Sequence, residues 1–299
     1  MPPTENDPNT MKTIRGAPLG LRVVRTMSRS HMRGAGVLTR LLTRFGRLDR
    51  IAQYQLGAVQ FQVPLGRIAW DFTDIANYEA KLIDSFSQAI EPLRDVTLFD
   101  CGADIGTFSA LVGSRTNCLA RIIAFEPNRE VRKILEENLS SLRTPSQLIP
   151  KAVGRSEGRG WLERPADNLT DHARYIVQGD GPLEVMTIDS LNVRGGDLAF
   201  KFDIEGGELE AIQGAAETIA SARNCVVAVE AHPLVAKRIG RDPGDTLRFL
   251  KSIRPFQFVV AETGERPSLT GPLLGGDQTE IWNVVGCAGE NLSRSMNGY

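Results

Sequence analysis

The 299-residue chain has no apolar run near 18 residues and no signal-peptide core, so neither a membrane-spanning helix nor a secretory leader is expected. Its four cysteines, Cys101, Cys118, Cys225 and Cys287, include no pair at a metal-ligand spacing. Cys101 and Cys225 fall in apolar runs that read as buried strands, so reduced core thiols in a cytoplasmic protein are expected. Repeats and low-complexity segments are absent. No charge of one sign dominates either: the formal net charge is −1, which gives no global attraction to nucleic acid.

That average hides an asymmetry. Between Met11 and Arg50 stand ten lysines and arginines against one acid, Asp49, a net +9, so the remainder is acidic. The stretch has the composition of an organellar transit peptide, but it sits behind Glu5 and Asp7. It also lacks the interleaved aromatics that stack bases, so no nucleic-acid partner is expected. Residues 1–10, rich in proline and polar residues, read as a disordered tail. From Gly36 to Leu48 the residues Val37, Leu38, Leu41, Leu42, Phe45 and Leu48 recur at helical spacing, with Arg40, Arg44 and Arg47 on the other face. Such a basic amphipathic helix packs on its own domain, or contacts a protein or an anionic membrane through residues 36–50.

Two short strand patterns, Ala58–Val63 and Ile68–Phe72, flank Pro64-Leu65-Gly66 and predict a hairpin, and Ile75–Ile90 predicts a helix. Thereafter the pattern is regular. Strand candidates are Val96–Phe99, Arg121–Phe125, Gln147–Ala152, Ala199–Phe202, Val226–Val229, Phe256–Val260 and Ile281–Val285. Helical stretches at Asn128–Leu142, Glu208–Ala222 and Gly244–Ile253 lie between them. This alternation predicts an α/β fold with a mostly parallel sheet covered on both faces. Ligands of such sheets bind at the carboxyl ends of the strands, where strand order reverses.

Four motifs end strands. In "LFDCGADIGTFSALV", Asp100 precedes Gly102 and Gly106; this D-x-G-x-x-x-G is not the G-x-G-x-x-G of a dinucleotide fold. A loop led by an acid suits a cationic, phosphate-free ligand, and S-adenosylmethionine has that chemistry; glycines let the backbone approach it closely. Glu126, ending "IIAFE" 26 residues after Asp100, is placed to accept hydrogen bonds from both ribose hydroxyls. "KFDIEGGELEAIQGA" delivers Lys201, Asp203 and Glu205 within five residues; the helix dipole accounts for Glu208 and Glu210, but not for Asp203 and Glu205. "VVAVEAHP" ends the next strand with Glu230 and His232.

These blocks, with "MTIDSL", in this order and spacing resemble the FkbM family of S-adenosylmethionine-dependent methyltransferases over roughly Tyr78–Val285. The family loop commonly reads D-x-G-A-N-x-G; here Asp104 holds the Asn position. The resemblance implies a Rossmann-like class I methyltransferase fold with a seven-stranded sheet spanning 78–299, preceded by a basic helical extension and hairpin at 11–77. It implies S-adenosylmethionine as cofactor, with Asp100, Gly102, Ala103, Asp104, Gly106, Glu126 and Asn128 around it. It further implies O-methylation of a sugar or natural-product hydroxyl.

An in-line transfer needs the acceptor oxygen about 3 Å from the methyl, and a base adds roughly 10²–10⁴-fold. His232 is the first candidate base and Asp203 the second, with Glu205 or Glu230 orienting base or acceptor. Asn168, in the polar stretch "DNLTDHARY", is a further candidate for acceptor contact, with Asp171, His172 and Tyr175 beside it. A competing role for Asp203, Glu205, Glu230 and His232 is to hold a divalent cation, which their spacing does not demand. The alternative to an enzyme is a non-catalytic S-adenosylmethionine-binding module that docks through its basic helix.

Overall fold

The computed structural model describes residues 12–15, 19–29, 35–44, 50–56, 59–65, 75, 78–163, 175–270 and 281–289. At the N-terminal end, strand β1 (Lys12–Arg15) is followed by helices α1 (Leu19–Arg29) and α2 (Ala35–Arg44), which pack on each other. The expected helix Gly36–Leu48 corresponds to α2; residues 45–49 lie outside the described set. Helix α1 buries Leu21 and Val24, and Leu42 of α2 packs against the same core.

Strand β3 (Val59–Pro64) covers Val59–Val63 of the anticipated Ala58–Val63 pattern and pairs antiparallel with β2 (Arg50–Leu56), Leu56 opposite Val59. Gln53 and Gln55 break the apolar rhythm of β2, which hid it from a periodicity reading; Ile68–Phe72 lies outside the described residues. β1 adds to β2 in parallel. Helix α3 (Ala80–Ile90) starts later than Ile75 because Tyr78 lies in a turn and Glu79 is left-handed, with φ 42°.

All seven candidate strands are present: β4 (Val96–Cys101), β5 (Leu119–Phe125), β6 (Ser146–Ile149), β11 (Asp197–Phe202), β12 (Asn224–Ala231), β13 (Gln257–Val260) and β14 (Trp282–Ala288). They form one sheet in the order β13-β14-β12-β11-β4-β5-β6, with only β14 antiparallel to its neighbours. Strand β11, DLAFKF, is buried at every position, as expected of a strand covered on both faces. Alternation sends Leu98, Ile122 and Val226 to one face, against Ile83, Phe86 and Ile90 of α3. Phe99, Ile123, Phe200 and Val227 go to the other. There Phe99 and Phe200 stack, their centroids 4.7 Å apart; each buried ring is worth about 1.5–3 kcal/mol.

The connections are α4 (Thr107–Arg115) after β4 and α5 (Arg132–Ser140) after β5, then α6 (Glu208–Gln213) with α7 (Ala216–Ser221), α8 (Pro233–Arg238) and α9 (Asp245–Ile253). The predicted helix Glu208–Ala222 is therefore two, divided at Gly214 and Ala215. Asn138 of α5 fastens the N-terminal hairpin to the sheet: its amide donates to the carbonyls of Gln62 (2.9 Å) and Ile105 (2.7 Å) and accepts from the Gln62 N–H. Between β6 and β11 lies a second sheet, ordered β7-β10-β8-β9, from β7 (Ala152–Val153), β8 (Gly158–Glu163), β9 (Tyr175–Gln178) and β10 (Leu183–Met186). The sequence had offered this region only as an acceptor loop. Among the described residues, no helix is long and apolar enough to cross a membrane.

Candidate functional site

Strand order reverses between β4, which leads outward to β5, and β11, which leads the other way. The carboxyl ends of these two strands open into a cleft of about 1070 Å³, mouth included. The turn after β4 forms its floor. The N–H groups of Gly102 and Ala103 both donate to the Phe125 carbonyl, at 3.1 and 3.0 Å. Gly102 has φ +80°, and a Cβ there would stand 2.0 Å from the carbonyl oxygen of Asp203; only glycine lets the two strand ends meet. Asp104 and Gly106 are also left-handed, at φ 50° and 84°, and Gly106 opens α4.

Glu126 organises the rim. One carboxylate oxygen accepts the Asp104 N–H at 2.8 Å and the other the Asn128 N–H at 2.7 Å. Asn128 in turn accepts the Glu130 N–H through its side chain. Gly102, Ala103, Asp104, Glu126 and Asn128 thus border one cavity, with Asp203 and Glu205 on its opposite side. Gly106 shapes the turn without bordering the cavity. Asp100 lies beneath it, fully buried, accepting from Ser109 Oγ at 2.6 Å; burial lifts its carboxyl, and Lys201 and Ser109 partly counter that.

Lys201 is the central residue that the motif reading named without giving it a role. Its Nζ lies 2.9 Å from Asp203 and 5.5 Å from the centroid of the Phe108 ring. Burial works against its charge, but Asp203, Asp100, Glu79 and Tyr78 outweigh it and hold the ammonium well above its ordinary pKa. A lysine between two phenylalanines, at the end of the apolar run Leu198–Phe200, was the available signal, since lysine is almost never fully buried unpaired. Tyr78 borders the cleft, and burial keeps its hydroxyl protonated. Leu162 and Ile176, directly paired across the second sheet, add an apolar wall that no sequence motif announced.

His232 and Glu230 border a smaller neighbouring cavity of about 360 Å³, with Glu208 and Arg241. His232 caps α8, its Nδ1 accepting the Val235 N–H at 3.4 Å. Glu208 accepts the N–H groups of Ile204 and Gly206 and so shapes the turn dividing the two cavities. Glu230 is pushed well above the usual carboxylate range, by burial first and then by Asp203, Glu205 and Glu208. Among the described residues no three His, Cys, Asp or Glu side chains gather as a metal-binding group. Asn168, Asp171 and His172 lie outside the described residues, while the Tyr175 hydroxyl is 3.3 Å from Glu163.

The cleft suits S-adenosylmethionine. Glu126 borders the cleft at the end of β5, where its carboxylate is placed to accept from a vicinal diol. Phe125, Val153, Leu162 and Ile176 supply apolar surface for a purine. Asp104 supplies a carboxylate at the rim for a cationic ligand, while Asp203 across the cleft is paired with Lys201.

The Methyltransferase FkbM domain model matches residues 100–258. The hexuronic acid methyltransferase AglP of Haloferax volcanii is 27% identical over 214 residues, covering 70% of this chain and 82% of that protein. Among solved structures, methyltransferase FkbM from Methylobacillus flagellatus is 17% identical with a TM-score of 0.41; the match covers 85% of this chain and 60% of that one. M. jannaschii TYW2 in complex with AdoMet is 14% identical with a TM-score of 0.43, covering 80% and 84%. The chain belongs to the FkbM family of S-adenosylmethionine-dependent methyltransferases.

Proposed function

We propose that this methyltransferase acts on a hydroxyl of a saccharide acceptor, and that Asp203 is the base. The observation carrying this reading is that Asp203 borders the same cleft as Glu126, from the opposite strand end, in contact with a charged lysine. The likeness to a protein named for hexuronic acid methylation supports a sugar acceptor. S-adenosylmethionine, when bound, supplies an electrophilic methyl on positively charged sulfur. Glu126, held in place by the Asp104 and Asn128 N–H groups, would hold its ribose, and Gly102 would allow the close approach. Asp203 accepts the proton of the acceptor hydroxyl as its oxygen is alkylated, the hydroxyl being a poor nucleophile while protonated. The chain's remaining work is alignment within about 3 Å and exclusion of water.

The sequence favours His232 as base. Its Nδ1 is engaged as a helix cap and its ring borders the smaller cavity, which favours acceptor contact for His232 and Glu230 instead. Transfer of labelled methyl from S-adenosylmethionine to uronic-acid-containing oligosaccharides tests the reading. Turnover should survive chelator and be lost in Asp203→Asn with cofactor affinity intact. Methylation of RNA but of no saccharide would refute it.

A second contact is supported by a separate observation. Helix α2 exposes Val37 (52%) and Leu41 (45%), one turn apart, and α1 exposes Val23 (43%), within a segment of net charge +9. This combination favours docking of the N-terminal helices on an anionic lipid surface.

A further inference from the structure

The smaller cavity lies across the turn Ile204–Glu208 from the cleft: Ile204 and Glu205 border one, Gly206 and Glu208 the other. Its charged groups are committed within the protein, with one exception. Glu208 accepts the Ile204 and Gly206 N–H groups at 3.1 and 3.0 Å. Arg241 places both terminal nitrogens on the Glu210 carboxylate. Asp242 accepts the Gly244 N–H at 2.7 Å, and Asp245 takes Arg248 at 2.7 Å. Glu230, near the end of β12, is the exception. It borders the cavity, and among the described residues it makes no hydrogen bond or ion pair. A largely buried polar group without a partner is uncommon and calls for an explanation.

The chemistry around Glu230 narrows what that partner is. An anion finds no cation to receive it: the arginine bordering the cavity is held by Glu210, and His232, whose Nδ1 accepts an N–H, is neutral there. A cation is disfavoured as well. Burial first, then Asp203, Glu205 and Glu208, raise the Glu230 carboxyl well above the usual range, so it keeps its proton. A protonated carboxyl offers one O–H donor and one carbonyl acceptor, and a sugar hydroxyl, itself donor and acceptor, matches that pair. Val235 and the 41% exposed Ile239 add aliphatic surface for the C–H edge of a ring.

Resting on the reading of a saccharide acceptor, we propose that the smaller cavity is a second acceptor subsite, in which Glu230 hydrogen-bonds a hydroxyl of an uncharged sugar residue joined to the one methylated in the cleft. The acceptor is then at least a disaccharide, and its glycosidic link passes over the turn Ile204–Glu208. Glu230 binds and orients the acceptor and takes no part in methyl transfer.

The test is calorimetric titration of the full chain, loaded with S-adenosylhomocysteine. The probes are glucuronic acid and disaccharides joining it to glucose, to glucosamine or to a second glucuronic acid. The glucose disaccharide should bind about 10-fold more tightly than glucuronic acid alone, and more tightly than both charged disaccharides. Glu230→Leu should cut that advantage to under about 3-fold. Glu230→Gln, whose amide keeps a donor and an acceptor, should preserve it. An advantage of the same size in wild type and Glu230→Leu, or tightest binding of either charged disaccharide, overturns the proposal. Should Glu230→Leu not fold, the wild-type protein decides, because equal binding of glucuronic acid and its glucose disaccharide also overturns it. Binding of the cofactor but of no saccharide would remove the saccharide reading and the subsite together. Glucuronic acid that binds and is methylated, with nothing gained from a second residue, would remove the subsite alone.

Discussion

Glu126 reaches from the end of β5 to the turn after β4, where its carboxylate accepts the backbone N–H of Asp104 at 2.8 Å. A single side chain thereby fixes the glycine turn and stands at the cleft where a diol would bind. In Glu126→Gln the amide brings a donor where the backbone already donates. Cofactor affinity should fall about 10–100-fold, equivalent to roughly 1.4–2.8 kcal/mol. Calorimetric titration with S-adenosylmethionine checks this, and an unchanged Kd would remove Glu126 from the site.

Gly102 meets a harder limit. A methyl there stands 2.0 Å from a backbone oxygen, on a residue with φ +80°. The left-handed conformation alone costs about 1–2 kcal/mol for an L-residue. With the displacement of Asp203 added, Gly102→Ala should lose about 3 kcal/mol or more. Thermal unfolding should then shift down on the order of 6–12 °C. A shift under ~2 °C would mean that the two strand ends do not constrain each other.

Asp203 and His232 are separable by kinetics. Asp203→Asn should lower kcat by about 10²–10⁴-fold, the usual contribution of a base, with cofactor affinity unchanged. His232→Asn, which keeps a capping side chain at the start of α8, should act mainly on the KM for acceptor. The opposite pattern would return the base to His232.

The parts of this site that were legible in the sequence share a physical basis. Asp100, Glu126, Asp203 and Glu230 are acids closing apolar strands, and a parallel sheet gathers strand ends on one edge. That logic finds the edge but not the partition within it: it could not tell that Gly206 and Glu208 turn the chain so that His232 and Glu230 border a separate cavity. Asp100, expected beside the ligand, lies under the turn, because strand alternation turns its carboxyl toward Ser109 of α4. Lys201 was visible as a charge in an apolar strand, but its meaning depends on Asp100, which opposes it across the ladder from 101 residues away in sequence. The second sheet was hidden by weak strands such as GRGWLE, whose alternation is interrupted by glycine and arginine. Strand β2 was obscured by its glutamines in the same way.

Glu79 also predicts a pH dependence of stability. An unfolded glutamate titrates near ~4.3, whereas burial raises Glu79 to about 7 in the folded protein. The folded state thus binds this proton more tightly. Its contribution is fully present below the unfolded value, is lost as pH rises to about 7, and is constant above that. Glu79→Gln should flatten the fall in Tm over this interval and leave the variant relatively more stable at pH 8. Parallel Tm curves for the two proteins would show that Glu79 is not held protonated.

The N-terminal helices make a prediction independent of catalysis. Leu21 and Val24 already satisfy the inward face of α1, so exposed Val23, Val37 and Leu41 are not needed by the core. Exposed aliphatic side chains in an arginine-rich segment suit a lipid interface better than a protein hot spot. The full chain should therefore sediment with vesicles containing anionic phosphatidylglycerol and not with neutral phosphatidylcholine, and about 0.5 M salt should release it. Val37→Asp with Leu41→Asp should abolish sedimentation while cofactor affinity stays at the wild-type value. Equal sedimentation with neutral vesicles would discard the role of the basic charge. No sedimentation with either, together with a dimer in solution that the two aspartates dissociate, would assign the exposed face to a second copy of the chain.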